Sequence, residues 1–217
     1  MTHPPNEIVD LLLSYPIAAR PRDPSALEPT PAELMIRPCH RVERCTILAI
    51  VNEAAERYRG VIPTDCWHEP YMAPAELERD IAAGVVFWGC VDETSELVGV
   101  MGIQAVKDVH LIRHAYVRPD AQGRGVGSGL LSHLETLSSR PILIGTWAAA
   151  TWAIGFYQSH GYTLVAAGEV APLLQKYWTV SPRQVETSVV LAKPARNEPT
   201  DAASTAVALP AKGLTAR

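Results

Sequence analysis

The segment best suited to chemistry is a glycine-rich stretch, residues 117–129, which reads VRPDAQGRGVGSG. It lies between an apolar run typical of a strand and a segment with leucines on one helical face. The first N–H groups of a helix have no partners within it, and the helix dipole is positive there, so such a turn binds anions. Glycines let an anion approach the backbone closely, and Arg118, Arg124 and Ser128 add two charges and a hydroxyl. We expect a phosphate or pyrophosphate at this turn.

The position of these glycines argues against two common phosphate motifs. A dinucleotide-binding fold carries its glycines after the first strand, with an acidic residue about 20 residues later. Here the glycines follow the fourth predicted strand, and Arg140 and Pro141 stand at that distance. A Walker loop needs Gly-Lys followed by Ser or Thr, which this segment lacks. Taken alone, the segment leaves a purely structural turn open.

A second segment, residues 153–162, reads AIGFYQSHGY and follows the next predicted strand. Together, Gln122-x-x-Gly125-x-Gly127 and Ala153-x-x-Phe156-Tyr157-x-x-x-Gly161-Tyr162 resemble the two coenzyme A signatures of the GNAT (N-acetyltransferase) superfamily. The resemblance covers roughly residues 33–193. Many members have an asparagine three residues before the motif alanine, whereas this chain has Ala150, so the resemblance does not extend to that residue's side-chain contact with the coenzyme.

The resemblance implies acetyl-CoA as the co-substrate, with no metal. Backbone amides of the glycine turn would hold the pyrophosphate, and the end of the fourth strand would pair with the pantetheine arm and polarise the acetyl carbonyl. The residues implied in coenzyme binding are Tyr116, Val117, Arg118, Gln122, Gly123, Arg124, Gly125, Val126, Gly127 and Ser128. Tyr157 stands where the family's general acid lies, and a phenol suits protonation of a departing thiolate. The alternative for Tyr157 is a half-buried aromatic residue on a helix.

Direct acetyl transfer to an amine also needs a base, and the fourth predicted strand carries two histidines. Histidine side chains titrate close to neutral pH, and the family often has its base on this strand. Strand alternation predicts His110 and His114 on one face, together with Ile112 and Tyr116. We expect one of the two to be the base, with His110 preferred; the alternative is that both pack within the sheet. A bulge, which is common in this strand of the family, would break the alternation.

In the family, the first helix and the following loop shape the acceptor pocket. That region offers aromatic and charged side chains: Glu53, Glu56, Tyr58, Arg59, Asp65, Trp67, His68, Glu69 and Tyr71. Aromatic and acidic residues together suit a cationic amine with an apolar body, although solvated surface charge explains any one of them. A small-molecule amine is favoured over a protein lysine, because no acidic run suited to a basic peptide stands out. We expect core packing for Trp147, Trp152 and Trp178, and the alternative is that they form a pocket wall.

The elements that must position these residues follow from periodicity and from turn residues. The predicted order is β-α-α-β-β-β-α-β-α-β-β, a meander followed by crossovers, which indicates an α/β (α+β) fold. We expect a mixed, largely antiparallel central sheet flanked by helices, as in GNAT-like acyltransferases. The predicted strands are 34–37, 85–91, 97–106, 109–117, 142–147, 161–165 and 185–191, and the predicted helices include 41–58, 75–83 and 151–159.

The domain organisation predicted from composition has three parts. Residues 1–31 form a proline-rich extension with one short helix at 6–14, and residues 32–193 form the acetyltransferase-like domain. Residues 194–217, rich in Ala, Pro and Thr, are predicted to be disordered.

Composition excludes several classes of function. The net charge of −4 disfavours nucleic acid as a partner, and no apolar run reaches the roughly 20 residues that cross a bilayer. The N-terminus lacks the pattern of a secretory signal, so we expect a cytoplasmic protein with no membrane partner. The four cysteines match no common zinc spacing and are expected to be reduced and mostly buried.

Two functions compete on these residues. The first is an N-acetyltransferase that moves an acetyl group from acetyl-CoA directly to a primary amine within a ternary complex. The second is a non-catalytic acyl-CoA-binding sensor or regulatory module on the same fold. The sequence leaves both a monomer and a homodimer open.

Overall fold

The computed structural model of the chain describes residues 35–195. The helix expected at 6–14 and residues 196–217 of the expected tail lie outside the described residues, and the domain bounds stay a prediction. In chain order the elements are β1 (Met35–Pro38), α1 (Arg44–Ala55), α2 (Pro74–Ala82), β2 (Val86–Val91), β3 (Leu97–Val106), β4 (Val109–Val117), α3 (Val126–Thr136), β5 (Ile142–Trp147), α4 (Thr151–Ser159), β6 (Thr163–Leu164), α5 (Ala167–Tyr177), α6 (Pro182–Thr187) and β7 (Ser188–Lys193). Among residues 35–195, no helix combines the length and the apolar character needed to cross a bilayer.

The strands form one sheet in the order β1-β2-β3-β4-β5-β7-β6. Every neighbouring pair is antiparallel except β4 and β5, which are parallel and are joined through α3. This confirms the predicted mixed, largely antiparallel sheet. The crossover brings the start of α3 to the carboxyl end of β4, next to the one parallel pair.

Helices cover both faces of the sheet. On one face, α3 and α4 pack on a core that includes Met101, Ile112, Leu130, Ile144 and Tyr157. On the other face, α1 and α2 pack over β2 and β3 around Ile50, Leu77, Phe87 and Val100. Further along that second face, α5 covers β4, β5 and β7 through Leu111, Leu143, Leu174 and Val190. Because Val100 and Met101 are consecutive in β3, their side chains point to opposite faces and separate the two cores.

The parallel pair is short, and its strands then separate. Only residues 110–112 of β4 pair with residues 142–144 of β5. Beyond them, the rest of β4 pairs with β3 and the rest of β5 pairs with β7. Two residues of β4, His114 and Ala115, stand opposite the single residue Met101, which makes a bulge, and His114 has a positive φ of 51°. A gap therefore opens within the sheet between the carboxyl ends of β4 and β5.

The end of the chain differs from the prediction. Alternation predicted a strand from residue 185, but residues 182–187 form α6 and β7 begins only at Ser188. The Ser181 side chain accepts a hydrogen bond from the Gln184 N–H, and Pro182 occupies the first turn. This N-cap stabilises a helix at residues 182–187, and its effect outweighs the alternation of apolar residues that predicted a strand.

The helix α5 was also missed, although Val170, Leu174 and Tyr177 are buried at helical spacing. Pro172 lies inside this helix, and proline normally argues against a helix interior. The strand predicted at 161–165 shrinks to the two residues of β6.

The cysteines only partly follow the expected burial. All four described thiols are free; Cys66 and Cys90 are buried, Cys39 is half-buried and Cys45 is exposed. Burial raises the pKa of Cys39 to about 12, so that thiol stays protonated.

A bidentate ion pair joins β1 to the start of the first helical segment. The Arg37 guanidinium donates two hydrogen bonds to the Glu43 carboxylate, at 2.7 and 2.9 Å, and the His40 N–H donates a third. The Arg37 hydrogen bonds, helped by the His40 amide and the Arg37 charge, outweigh burial and lower the pKa of Glu43 to about 2. The pair therefore stabilises the fold wherever the carboxylate is ionised.

We predict that Glu43→Gln lowers the free energy of unfolding at pH 7 by about 1–2 kcal/mol. Because the folded-state pKa is depressed, this stabilisation is fully present above the unfolded pKa, near 4.5, and is lost as pH falls towards 2. Urea denaturation between pH 7 and pH 2.5 measures the difference from the unsubstituted protein. Glu53→Gln, an exposed carboxylate of α1 with no ion pair among the described residues, is the control. A difference that stays constant over this range contradicts the assignment.

Candidate active site

The gap between β4 and β5 is the mouth of a cavity of about 550 Å³. Its walls come from both faces of the sheet: the ends of β4 and β5, the starts of α3 and α4, and the turn that follows α1. Met101, Val126 and Tyr157 line it from the α3 face, and Ala54 and Tyr58 line it from the α1 face. The cavity is therefore lined by residues from both faces of the sheet.

The glycine turn presents a row of free amides to this cavity. Gly123 and Gly125 have φ angles of 75° and 83°, in the left-handed region that glycine tolerates best. Helix α3 starts at the next residue, and the Gly125 carbonyl accepts the Gly129 N–H at 2.8 Å. The amides of residues 123–128 donate no hydrogen bond to any other described residue. This arrangement has the geometry expected of the anion site that the sequence predicts.

A glycine in β3 allows α3 to approach the sheet closely. A Cβ on Gly99 would lie 2.7 Å from a methyl group of Val126, the first residue of α3. Any side chain at position 99 would push the start of α3, and with it the row of free amides, away from β4. Gly99 could not be recognised from the sequence as a residue of the site, because its partner Val126 is distant in the chain.

Most residues predicted to bind coenzyme A line the cavity. They are Tyr116, Val117, Gln122, Gly123, Gly125, Val126, Gly127 and Ser128. The Gln122 side chain also donates to the Val117 carbonyl at 3.0 Å, which holds the turn against the end of β4. Arg118 and Arg124 are not among the lining residues. Arg124 is exposed, and the Arg118 Nε is buried without a partner among the described residues.

Tyr157 lies on α4 and forms part of the cavity wall. Its side chain is only 7% exposed, and burial, with a smaller effect from Tyr58, raises the pKa of its phenol above the usual value. The hydroxyl makes no hydrogen bond with the described residues and is not sealed from the cavity. Tyr157 is therefore a protonated donor with a free hydroxyl. Ala150, which replaces the family's asparagine, is fully buried at the start of α4.

The prediction that both histidines share one face is wrong, because the bulge at residues 114–115 turns His114 towards the α2 side. There its Nε2 lies 2.7 Å from a carboxylate oxygen of Asp80, and its ring stacks on Phe87 at 5.6 Å. His114 lines the cavity. His110 does not: its Nδ1 lies 2.6 Å from the Ser138 hydroxyl, near the opposite end of β4. Burial, followed by the Arg140 charge, lowers the pKa of His110.

Asp80 is a site residue that the sequence analysis missed. It lies on α2, 34 positions before His114, and it also faces the Arg113 guanidinium at 3.3 Å. Burial opposes ionisation of Asp80, but the His114 hydrogen bond and the Arg113 charge outweigh it and lower the pKa of this carboxyl. An ionised carboxylate only accepts hydrogen bonds, so the shared proton resides on His114 Nε2. His114 Nδ1 is then the nitrogen with a free lone pair.

Aromatic rings form the wall on the α1 face. Tyr58 stacks on Tyr71 at 5.7 Å, lies 5.6 Å from Trp152, and meets Tyr116 edge-on at 6.5 Å between ring centroids. Tyr58, Tyr116 and Trp152 line the cavity, and Trp147 supports Tyr71 from the core through a 3.1 Å hydrogen bond. Trp147 is therefore buried in the core, as the sequence led us to expect, whereas Trp152 forms part of the cavity wall.

The structure corrects the expected acidic character of the acceptor region. Glu56 and Glu69 pair with Arg59, and Asp65 pairs with Arg183. None of these carboxylates lines the cavity, and Tyr58 is the one residue of the expected set that does so. The charged lining residues are instead Arg57, Arg113 and, when protonated, His114.

Comparisons with known proteins agree with this geometry. Residues 83–164 match the family model described as an acetyltransferase (GNAT) domain. A GNAT-family acetyltransferase of Staphylococcus aureus Mu50 superposes with a TM-score of 0.59 at 13% identity, covering 75% of this chain and 99% of that one. The PaiA N-acetyltransferase of Thermoplasma acidophilum, solved in complex with coenzyme A, gives 0.56 at 14% identity, with coverages of 75% and 99%.

A third structure, the ribosomal-protein-S18-alanine N-acetyltransferase of Escherichia coli, gives a TM-score of 0.53 at 16% identity, with coverages of 78% and 98%. At these identities the solved structures show the shared fold. No curated protein shows significant sequence similarity to this chain.

We predict that Gly125→Ala weakens the binding of acetyl-CoA by about tenfold or more, because a Cβ disfavours the left-handed backbone and points the amides away from the anion. Isothermal titration calorimetry measures the effect. Gly155→Ala is the matched control, since Gly155 lies within α4, outside the cavity, with open space where the Cβ would be. Equal affinities for the two variants would show that the turn does not bind the coenzyme.

Proposed function

We propose that this chain, whose residues 83–164 match the acetyltransferase (GNAT) domain model, transfers the acetyl group of acetyl-CoA directly to the primary amine of a small molecule. The observation that carries the proposal is one cavity lined from both faces of the sheet, with the free amides of the glycine turn in its wall together with a histidine held by Asp80. Direct transfer in a ternary complex suits a single cavity in which donor and acceptor meet.

The donor side is argued from the α3 face. The amides of residues 123–128 would receive the pyrophosphate of acetyl-CoA, because they are free and lie at the positive end of α3. The edge of β4 at residues 116–117 has no strand partner on the β5 side, so its backbone is free to pair with the amides of the pantetheine arm. The thioester would then enter the gap between the strands, towards Tyr157.

His114 is the proposed base. Acetyl transfer needs a neutral amine nitrogen that attacks the carbonyl carbon, and the nitrogen loses a proton as the C–N bond forms. His114 Nδ1, made available by the Nε2–H bond to Asp80, accepts that proton directly or through one water. We prefer His114 to His110 because His114 lines the cavity and His110 does not.

Tyr157 is the proposed acid. When the tetrahedral intermediate collapses, the C–S bond breaks and the coenzyme leaves as a thiolate. The Tyr157 phenol is protonated at neutral pH, and its hydroxyl forms part of the cavity wall without a hydrogen-bond partner among the described residues, so it is free to donate its proton to the sulfur. The products are the N-acetylated amine and free coenzyme A, and the two protons balance between His114 and Tyr157.

A small acceptor is favoured by the acceptor-side wall. Tyr58, Tyr116 and Trp152 form a compact aromatic surface around the opening. A basic peptide would need carboxylates there, but Glu56, Glu69 and Asp65 are engaged with Arg59 and Arg183, and Glu53 does not line the cavity.

We predict that His114→Asn lowers kcat/KM for acetyl transfer by about 100-fold, because the base is removed. His110→Asn is the matched control on the same strand and should leave kcat/KM nearly unchanged. Tyr157→Phe should lower kcat while acetyl-CoA binding is retained. Thiol release across a panel of primary amines measures all three.

The same assay tests the sensor alternative. Tight acetyl-CoA binding with no thiol release from any amine would support a regulatory module and contradict the proposed enzyme. A larger loss of kcat/KM in His110→Asn than in His114→Asn would still support an enzyme, but one in which His110 is the base.

A further inference from the structure

Resting on the proposed function, we propose that the acceptor is an amine that also carries a carboxylate and an apolar side chain, as a free amino acid does, and that Arg57 binds the carboxylate. The proposal names a substrate class and a specificity residue for the acceptor side of the cavity. It replaces the purely cationic amine that the sequence suggested.

Arg57 is a cation held in place without a counter-ion. It follows α1 directly and lines the cavity, with its guanidinium carbon 4.4 Å from the centre of the Trp152 ring. Stacking of this kind fixes the plane of a guanidinium and leaves its N–H edge free for a ligand. No described carboxylate pairs with Arg57, whereas Arg59, two residues later, is bound by Glu56 and Glu69.

The balance of charge in the cavity favours an anion. Within residues 35–195 no aspartate or glutamate lines it, and Arg113 and His114, the basic residues that line it besides Arg57, already share Asp80. An acceptor with a positive charge alone would meet the uncompensated Arg57 charge with no carboxylate to offset it. A carboxylate matches the fork of a guanidinium through two parallel hydrogen bonds.

The anion bound by Arg57 belongs to the acceptor and not to the coenzyme. The free amides proposed for the pyrophosphate lie at the start of α3, on one face of the sheet. Arg57 belongs to the turn after α1, a helix that packs on the opposite face, and its guanidinium lies over Trp152 of α4 and not at the glycine turn. The two anion-binding features therefore belong to separate elements of the cavity wall.

The apolar side chain of the proposed acceptor is inferred from the aromatic wall of the cavity. Tyr58, Tyr116 and Trp152 surround the cavity close to Arg57, and Tyr58 is near enough for the Arg57 charge to act on its hydroxyl. Such rings bury apolar surface and offer few polar groups. Leucine, methionine and phenylalanine are the natural first probes.

The experiment compares each of these amino acids with its amide and with the amine that lacks the carboxyl group, by thiol release from acetyl-CoA. We expect kcat/KM to be at least about tenfold higher for the free acids, the usual magnitude for a charge-assisted hydrogen bond. Arg57→Gln should lower kcat/KM about 10- to 100-fold for the acids and less than about threefold for the amides. Arg57→Lys keeps the charge but loses the two parallel hydrogen bonds, so its kcat/KM for the acids should lie between those of the unsubstituted protein and Arg57→Gln.

Arg41→Gln is the matched control, because Arg41 is exposed, lies outside the cavity and has no ion pair among the described residues. Amides or simple amines used as well as the acids, or an equal loss for all substrates in Arg57→Gln, would overturn the carboxylate assignment alone. Preference for peptides with a free N-terminus, which lack an adjacent carboxylate, would overturn it in favour of a protein acceptor. No turnover with any amine, despite coenzyme binding, would overturn the proposed function as well.

Discussion

The separation of β4 from β5 after three paired residues is the constraint on which the rest of the site depends. A continuous sheet would bury the backbone groups of both strands in hydrogen bonds and leave no passage between its two faces. Here each strand keeps its other neighbour, so the sheet holds together while one inner edge stays available. Unpaired backbone groups at such an edge cost free energy unless a ligand or water satisfies them. An extended arm that carries amide groups is the kind of ligand that fits this edge.

Two local features turn this gap into a site. The glycines of the turn before α3 aim free amides at one end of it, and Gly99 lets α3 approach closely enough for them to meet β4. The bulge in β4 rotates His114 away from the alternation of the strand and towards Asp80. Both features depend on backbone conformation, so a ligand would find its partners already oriented.

Much of this arrangement could be predicted from the sequence, and the rest could not for identifiable reasons. The bounds of β3, β4, β5 and α4 agree with the predictions because strong apolar patterns end there at polar or glycine-rich breaks. The glycine turn could be recognised because it is local. The partner of His114 could not, since Asp80 lies 34 positions away and only the bulge brings the two together. Likewise the sequence could not show that Glu56 and Glu69 pair with Arg59, or that Asp65 pairs with Arg183, which is distant in the chain.

The most direct test of the account is an amide-resolved NMR titration of the full chain with acetyl-CoA. The account predicts that the largest shifts cluster at residues 113–117 and 123–128, on the two sides of the gap, with α5 and α6 nearly unaffected. Binding that instead shifts α5 and α6, or that leaves the glycine turn unmoved, would contradict the claim that the gap between β4 and β5 is the acetyl-CoA site.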